Sequence, residues 1–326
     1  MDRREFLRRA GAAGLCVAGS VLGAAWLYDP RGGADYFRNE EAKKTALLKS
    51  YRVERGPGAV TMSVVRGKDP EKMVRAGLEA MGGISSFVQK GDVVLIKPNV
   101  AFDRAPALGA TTSPEVLRAV VLTCREAGAR RVIVADNPIN QPEGCFFKSG
   151  IQQAATDAGA DVMLPKPNAF SLVKINGEVL KTWSAFYQPL DEATKVIGIA
   201  PCKDHNLCSA SMTMKNWYGL LGGRRNQFHQ QIHAVIADFA RMIQPTFVVL
   251  DATRVLMQNG PTGGKLSDVQ EADMLVIGTD MVAVDTFGYT LFGRDPQKLE
   301  YVYRAEARGL GSTKWKEQNW REVLAG

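Results

Sequence analysis

The sequence predicts an α/β fold, a mostly parallel sheet with helices on both faces. Short continuous apolar runs recur along the chain, which is typical of strands that are buried on both sides. Amphipathic segments separate these runs, so strand and helix alternate as they do around parallel sheets. No Gly-x-Gly-x-x-Gly follows a strand and no Gly-x-x-x-x-Gly-Lys-Ser/Thr occurs, so neither nucleotide-binding motif is indicated.

The individual elements follow in chain order. An apolar strand at residues 62–65 precedes an amphipathic helix at 70–81 and a second strand at 93–96. Ser113-Pro114-Glu115 begins a helix, because serine caps and proline fits the first turn, and Gly128 is a natural stop. The remaining predicted elements are a strand at 131–136, a helix at 152–158, strands at 162–164 and 196–200, a helix at 232–243, and strands at 247–251 and 274–278.

Residues 1–28 have the pattern of a twin-arginine export signal. Arg3 and Arg4 precede a Phe-Leu pair, and a weakly apolar run of small residues follows at 10–27. Small residues at 23–25 suit cleavage before Trp26, and without cleavage the segment becomes a membrane anchor. The alternative is an ordinary amphipathic or membrane-spanning helix, which the Gly and Ala content disfavours. We therefore expect an exported, periplasmic protein with the twin-arginine machinery as a partner. Resemblance to such signals implies that the protein is exported folded, often with a cofactor already loaded.

Two further segments complete the predicted domain organisation. Residues 29–60 are polar and contain several glycines, so they are predicted to be a tether, and residues 61–326 form the α/β domain. Four cysteines fall in that domain, and after export they would meet an oxidising compartment where a disulfide can persist.

Composition excludes several classes of protein. The chain is 45% hydrophobic and 23% charged, which excludes disorder over most of its length, and only its N-terminal stretch approaches membrane-spanning length. Five cysteines are too few for a disulfide scaffold. The net charge of +7 is spread among acids without a basic stripe, so no nucleic-acid partner is expected.

Polar residues that follow the predicted strands are the candidates for a site, because ligands bind beyond the carboxyl ends of parallel strands. Lysines converging there would suit a small anionic ligand such as a carboxylate or phosphate, or a lysine with a lowered pKa that moves protons. They could equally be solvated loop charges. The predicted catalytic residues are Lys97, Lys203, His205, Lys215, Asn216, Asp251 and Asp285.

All three histidines of the chain lie in one short window with two cysteines. His229 and His233 are four residues apart at the start of a predicted helix, where one face could present both to a metal ion. Cys202 and Cys208 flank His205 on a predicted loop, in a spacing that matches no standard zinc or iron–sulfur signature. A transition metal held by His229, His233, Cys202 and Cys208 is one hypothesis. In the alternative hypothesis, His229 caps or hydrogen-bonds near the helix start, His233 is a surface residue, and the two cysteines form a small disulfide or stay buried.

A glycine-rich loop follows the predicted strand at 247–251. Asn259-Gly260-Pro261-Thr262-Gly263-Gly264 contains more glycine than a tight turn needs, which favours contact with a ligand. The predicted cofactor-binding residues are Asn259, Gly260 and Gly264, together with Asn99 after the strand at 93–96.

Several stretches together resemble the family known as domain of unknown function 362. They are Val94-Leu95-Ile96-Lys97-Pro98-Asn99, Pro201-Cys202-Lys203-Asp204-His205, Met214-Lys215-Asn216-Trp217-Tyr218-Gly219, His229, Asp251, the loop 259–264 and residues 278–285. The resemblance covers roughly residues 60–311, and members are often joined to ferredoxin-type iron–sulfur modules. The resemblance implies kinship and the position of the site, not a particular reaction. An enzyme or redox accessory protein with a redox partner protein is one expectation. The closely spaced four-cysteine run of those modules is absent, so no standard four-iron cluster is expected.

Three functional hypotheses remain at this point. The first is an exported enzyme or redox accessory protein, in which lysines neutralise an anionic ligand, His205 or His229 moves a proton, and Asp251 or Asp285 orients a neighbour or binds a metal. The second is a non-catalytic periplasmic protein that holds a metal or cofactor for a partner. The third is a structural subunit tethered to the membrane by the uncleaved signal.

Overall fold

The structure, a computed structural model, describes residues 45–326 together with Asp2, Arg4 and Glu5. Apart from those three residues, the predicted signal and the first part of the predicted tether lie outside the described residues. The chain divides into two units, and the second, Ala46–Gly326, holds the elements below. In the part of the chain that is described, no helix combines the length and the apolar character needed to cross a membrane.

The strands and helices of the described residues are numbered in chain order. The strands are β1 (Ala46–Leu47), β2 (Met62–Arg66), β3 (Val93–Lys97), β4 (Arg131–Ala135), β5 (Asp161–Met163), β6 (Phe170–Lys174), β7 (Thr182–Phe186), β8 (Lys195–His205), β9 (Ser209–Ser211), β10 (Phe247–Leu256), β11 (Val269–Gly278) and β12 (Trp320–Leu324). The α-helices are α1 (Pro70–Ala80), α2 (Pro114–Glu126), α3 (Pro142–Lys148), α4 (Ile151–Asp157), α5 (Gln188–Glu192), α6 (Thr213–Asn216), α7 (Ile232–Met242), α8 (Met281–Thr290) and α9 (Glu300–Glu306).

The central sheet is mostly parallel, as predicted. Its strands lie in the order β12-β2-β11-β10-β8-β3-β4-β5, and β9 pairs with β8 outside this path. Five neighbouring strands, β10, β8, β3, β4 and β5, are mutually parallel. Strand β11 runs antiparallel to β10 and β2, and β9 runs antiparallel to β8. The carboxyl ends of β3, β4 and β8 therefore meet at one edge of the sheet.

Helices cover both faces of this sheet, which confirms the predicted fold class. Side chains alternate along β3, so Val93 and Leu95 belong to one apolar core while Val94 and Ile96 belong to the other. Helices α1, α2 and α4 pack on the second core, and α7 and α8 pack on the first. Because every residue of β3 is buried, an unbroken apolar run was the correct signal for it.

Of the described α-helices, α1, α3 and α8 begin at a residue whose side chain caps the helix. Asp69 caps α1, since its Oδ1 accepts hydrogen bonds from the backbone N–H of Glu71 and Lys72 at 2.9 and 3.2 Å. Ser113 stands at the cap position of α2 but its hydroxyl makes no capping bond. Its backbone N–H instead donates to Asp251 Oδ2 at 2.8 Å, so a carboxylate on β10 fixes the start of α2.

The predicted tether is too long at its C-terminal end. Strand β1 pairs with β6, which with β7 forms a small separate sheet. Tyr51 is 3% exposed, its hydroxyl donates to Leu190 O at 2.7 Å, and its N–H donates to Gln244 O at 2.9 Å. Residues from Ala46 onward therefore belong to the compact unit, which begins before residue 61.

Candidate functional site

A cavity of about 170 Å³ lies beyond the carboxyl ends of β3, β4 and β8. Its polar lining contains seven of the fifteen residues that the sequence predicted for the site. These are Lys97, Asn99, Lys203, His205, Lys215, Asn216 and His229, joined by Asp136, Asn137, Asn206, Ser211, Tyr218 and Arg225. Apolar contacts come from Ala101, Phe102, Ile139, Leu207 and Pro261. The cavity therefore lies at the sheet edge where the rule for parallel sheets predicts a ligand site.

Lys97 and Asp136 form a buried ion pair in the cavity wall. Lys97 is the last residue of β3, and Asp136 follows the last residue of the neighbouring β4. The ammonium lies 2.7 Å from Asp136 Oδ1 and also donates to Pro98 O at 2.7 Å and Asn216 Oδ1 at 2.9 Å. Burial lowers the pKa of Lys97, and the carboxylate beside it opposes that change. All three ammonium hydrogens thus have acceptors within the protein.

Gly219 leaves the room that this pair occupies. A Cβ at that position would meet the Lys97 Nζ at 2.7 Å and would overlap the Asp136 carboxylate. The glycine is therefore a packing requirement of the ion pair.

Two asparagines connect Lys97 to Lys203. Asn216, on α6, accepts from Lys97 and from Asn99 Nδ2 at 3.2 Å, and its own Nδ2 donates to Lys97 O and Ile199 O. Asn99 Oδ1 then accepts from Lys203 Nζ at 3.2 Å. This buried polar network has its partners in place, so it holds both lysines in fixed positions. Asn99 therefore links Lys203 to Asn216, the hydrogen-bond partner of Lys97.

Lys203 lies on β8 and is almost fully buried. Its ammonium donates to Ala110 O at 2.6 Å, and it lies 5.2 Å from the centre of the Phe102 ring. Burial, reinforced by the nearby charges of Lys215 and Lys97, lowers its pKa to about 7. The side chain can therefore gain or lose a proton near neutral pH.

Lys215, on α6, differs from the other two lysines. It is partly exposed in the cavity wall, and its ammonium lies 5.0 Å from the centre of the Tyr218 ring. Among the described residues it makes no hydrogen bond and no ion pair. Burial and the charge of Arg225 lower its pKa. It is the cavity lysine whose amine is available to a ligand.

Arg225 was missed from the sequence. It lies at the start of a 3₁₀ segment, Arg225–Gln231, and its guanidinium donates to four carbonyl oxygens, those of Tyr218, Leu221, Asn137 and Pro138. It forms no ion pair with any residue that the structure describes, and burial lowers its pKa. Nothing in the local sequence Gly222-Gly223-Arg224-Arg225 indicates that one of the two arginines turns inward.

Two histidines line the cavity with different roles. His205 Nδ1 accepts the N–H of Leu207 at 3.1 Å, and burial, the largest cause, lowers its pKa to about 2. The ring is therefore neutral with its proton on Nε2, a hydrogen-bond donor. His229 packs 5.4 Å from the Tyr218 ring, and its Nδ1 lies 2.8 Å from the Asn226 oxygen. Because a carbonyl only accepts, Nδ1 carries a proton there.

The predicted metal set is not assembled. Within the described residues, no three His, Cys, Asp or Glu side chains lie close enough to hold a metal ion. His229 falls in the 3₁₀ segment and His233 in α7, so the predicted single helical face does not exist. His233 lies 4.0 Å from Glu300, outside the cavity lining.

The cysteines are also placed apart from the histidines. Strand β8 continues through His205, where a loop was predicted, and three residues along a strand place Cys202 and His205 on opposite faces. Cys202 and Cys208 are buried free thiols whose sulfurs face the oxygens of Gly288 and Ala210 at 3.8 and 3.3 Å. Cys124 and Cys145 are likewise buried and free, so no disulfide forms among the four described cysteines.

The two predicted aspartates support the site from outside the cavity lining. Asp251 accepts from Ser113 and from the Thr253 hydroxyl at 2.7 Å, so it holds α2 against β10. Asp285 accepts from the N–H groups of Thr213 and Met214 at 2.8 and 3.0 Å. Burial raises the pKa of Asp285 to about 7, against the effect of those donors. Asp285 thereby fixes the start of α6, the helix that carries Lys215 and Asn216.

The glycine-rich loop contributes a proline to the cavity. Asn259 Nδ2 donates to Asp268 Oδ1 at 3.0 Å, and Gly260 N–H donates to Asp204 Oδ2 at 2.9 Å. Pro261, after a cis peptide bond, lines the cavity, whereas Gly264 is exposed with no atom near its Cβ position. Asn259, Gly260 and Gly264 thus shape or continue the loop and do not line the cavity.

Comparison with known proteins identifies the family. Residues 94–290 match the domain of unknown function DUF362, and the chain belongs to that family. The thylakoid-associated protein sll1697 of Synechocystis is 25% identical over 285 residues, which covers 83% of this chain and 81% of that protein.

The chain is also similar to a solved structure. The lactate racemase apoprotein from Thermoanaerobacterium thermosaccharolyticum matches with a TM-score of 0.41 and 12% identity over 73% of this chain. The match spans 58% of the racemase chain.

Proposed function

We propose that this member of the DUF362 family binds a small organic anion in the cavity beyond β3, β4 and β8. The observation that carries the proposal is the charge balance of the cavity wall. Four cationic residues line it, namely Lys97, Lys203, Lys215 and Arg225, against one carboxylate, that of Asp136. Asp136 is paired with Lys97. In the described part of the chain, the other three cations form no ion pair.

Uncompensated cations in a protein wall favour an anionic ligand. Removing a charge from water costs several kcal/mol, which hydrogen bonds to carbonyls offset only in part. An anion in the cavity would interact with three cationic groups across a region of low dielectric, where attraction is stronger than in water. The ligand thus supplies the negative charge that the wall lacks.

The size and lining of the cavity narrow the ligand class. A cavity of about 150 Å³ holds a benzene molecule, and this one measures about 170 Å³. Phe102, Ile139, Leu207 and Pro261 give one part of it an apolar surface. A compact carboxylate with a short hydrocarbon or ring portion suits both halves of this wall better than inorganic phosphate does.

Lys203 favours a catalytic role for the same cavity. A general acid or base works best when its pKa lies near the operating pH, and that of Lys203 is lowered to about 7. His205 adds a neutral donor at Nε2. We therefore propose proton transfer to or from the bound anion as the reaction class. The alternative is a binding or assembly protein, which would retain its ligand stoichiometrically without turnover.

Export through the twin-arginine route is part of the proposal. It rests on Arg3-Arg4 and the weakly apolar run after them, and it would place the cavity in the periplasm. A transition metal is not included, since the described residues supply no site for one.

Calorimetric titration with benzoate, pyruvate and inorganic phosphate tests the binding proposal. We expect the carboxylates to bind and Lys215→Met to weaken their affinity at least about tenfold, because losing one partner of a desolvated charge pair costs roughly 2–5 kcal/mol and 1.4 kcal/mol is tenfold. Lys90→Met is the matched control, since Lys90 is exposed and precedes β3 at the opposite edge of the sheet. Equal affinity in both variants, or no binding by the wild type, would contradict the proposal.

A further inference from the structure

The three cavity lysines differ in how many protein acceptors surround each amine. Lys97 has three, Asp136 Oδ1, Pro98 O and Asn216 Oδ1. Lys203 has two, Ala110 O and Asn99 Oδ1. Among the described residues, Lys215 has none, and it contacts only the face of Tyr218. An ammonium is stabilised by each acceptor, so Lys215 is the amine that the protein stabilises least in its charged form.

We infer that Lys215 forms a Schiff base with a small 2-oxo acid bound in this cavity. The inference rests on the proposed anion-binding function and extends it to a substrate class and a covalent step. A 2-oxo acid carries a carboxylate for the cationic wall and a ketone on the adjacent carbon. A nucleophilic amine beside the anion site would therefore meet that carbonyl.

The surroundings of Lys215 make its ammonium easier to deprotonate, so the cation that attracts the anion can release a proton and become a nucleophilic amine. Its charge and that of Lys203 raise each other's energy, and Arg225 lies on the same cavity wall. A lysine that is desolvated or placed beside another cation is a recognised route to an amine nucleophile at neutral pH. Lys97 is unsuited to this role because its amine is already engaged by Asp136 Oδ1, Pro98 O and Asn216 Oδ1.

The covalent step balances within the cavity. The electron pair of the neutral Lys215 amine forms the N–C bond, and the carbonyl π electrons move to oxygen. An amine proton transfers to that oxygen and gives a carbinolamine. The Lys203 ammonium then donates a proton to the hydroxyl group, which leaves as water, and the nitrogen electron pair forms the iminium bond. Positive charge is conserved, since Lys203 becomes neutral while the iminium nitrogen becomes cationic opposite the carboxylate.

Reductive trapping tests this inference on the full chain. Wild-type protein is incubated with pyruvate and cyanoborohydride, digested and sequenced by mass spectrometry. We expect one carboxyethyl group per chain, on the peptide that contains Lys215. Lys215→Arg keeps the positive charge without a reactive primary amine, so it should remain unlabelled. Lys90 serves as the internal reference for labelling of exposed lysines.

The outcomes separate this inference from the proposed function. Label on Lys203, or label on Lys90 to the same extent as on Lys215, would overturn the Schiff-base assignment. Pyruvate and benzoate that both bind in calorimetry without any trapped adduct would also overturn it, while the anion-binding function stands. Failure of both carboxylates to bind would remove the proposed function itself. Melting curves of Lys215→Arg and the wild type confirm that the variant is folded.

Discussion

The contribution of the Lys97–Asp136 ion pair to the free energy of unfolding depends on its burial. Both side chains are 1% exposed and their charged atoms lie 2.7 Å apart. Asp136→Asn leaves an ammonium buried without its counter-ion, so we expect the free energy of unfolding to fall by about 3–5 kcal/mol. Lys97→Met combined with Asp136→Asn should cost less than the sum of the single changes. Urea unfolding of the four proteins measures this coupling.

A surface pair supplies the control for that cycle. Arg66 and Glu322 also lie 2.7 Å apart, but about half of each side chain is exposed. Arg66→Met and Glu322→Gln should show a coupling below about 1 kcal/mol. Equal coupling in the two pairs would mean that burial does not strengthen the Lys97–Asp136 interaction.

Lys203 is expected to make the stability of the folded chain depend on pH. Its pKa is lowered to about 7 in the folded chain, whereas an unfolded lysine titrates near 10.4. Between these values only the unfolded chain holds the proton, so stability rises with pH by about 1.4 kcal/mol per unit. Lys203→Met removes this dependence. The stability of the variant relative to the wild type should therefore fall by about 2 kcal/mol from pH 7 to pH 9.

Denaturant unfolding at several pH values checks this result. Lys90→Met changes an exposed lysine and should give a stability difference that does not vary with pH. Parallel curves for Lys203→Met and the wild type would show that Lys203 keeps an ordinary pKa, and would weaken its proposed role in proton transfer.

The loop at 259–264 contributes Pro261 to the cavity lining. A Cβ on Gly260 would overlap the backbone carbonyl of Asp204 on β8, and neither segment of backbone can easily move. Gly260→Ala should lower the free energy of unfolding by about 1–3 kcal/mol. It should also weaken carboxylate binding, because Pro261 would be displaced from the lining.

Gly264 provides the matched control in the same loop. It has no heavy atom within 4 Å of its Cβ position. Gly264→Ala should change stability by less than about 0.5 kcal/mol and leave affinity unchanged. If both alanine variants behave alike in unfolding and titration, the close approach of the loop to β8 does not shape the cavity.

The elements that could be predicted from sequence are those whose signal is local. β3 and β4 follow from apolar runs, and α1 follows from an amphipathic pattern with a capping aspartate. The extension of β8 was missed because Lys203 and His205 interrupt the apolar run. They are polar at alternate positions because one face of that extension borders the cavity. A rule that recognises buried strands by their apolar residues therefore misses a strand whose buried residues are polar.

The sheet edge at which the cavity lies could be predicted from the sequence. The contacts between the side chains of its wall could not. Because β3 and β4 are parallel neighbours, Lys97 and Asp136 lie at the same sheet edge regardless of the contacts that their side chains make. The inward turn of Arg225 depends on the carbonyls of Asn137 and Pro138, which are distant in sequence. The separation of His229 from His233 depends on a 3₁₀ segment. Such features arise from tertiary packing, which a spacing rule does not contain.

The proposed export of the chain depends on Arg3 and Arg4. Arg3→Lys combined with Arg4→Lys preserves charge but removes both guanidinium groups, whose planar fork recognises partners differently from an ammonium. We expect this variant to stay in the cytoplasm with its first residues intact, because twin-arginine signals are read by a receptor. Fractionation and intact mass of the full-length protein measure both properties. Arg8→Lys with Arg9→Lys is the charge-matched control and should be exported. Unchanged export of the Arg3 and Arg4 variant would indicate a different signal, and the periplasmic setting of the cavity would then need another route.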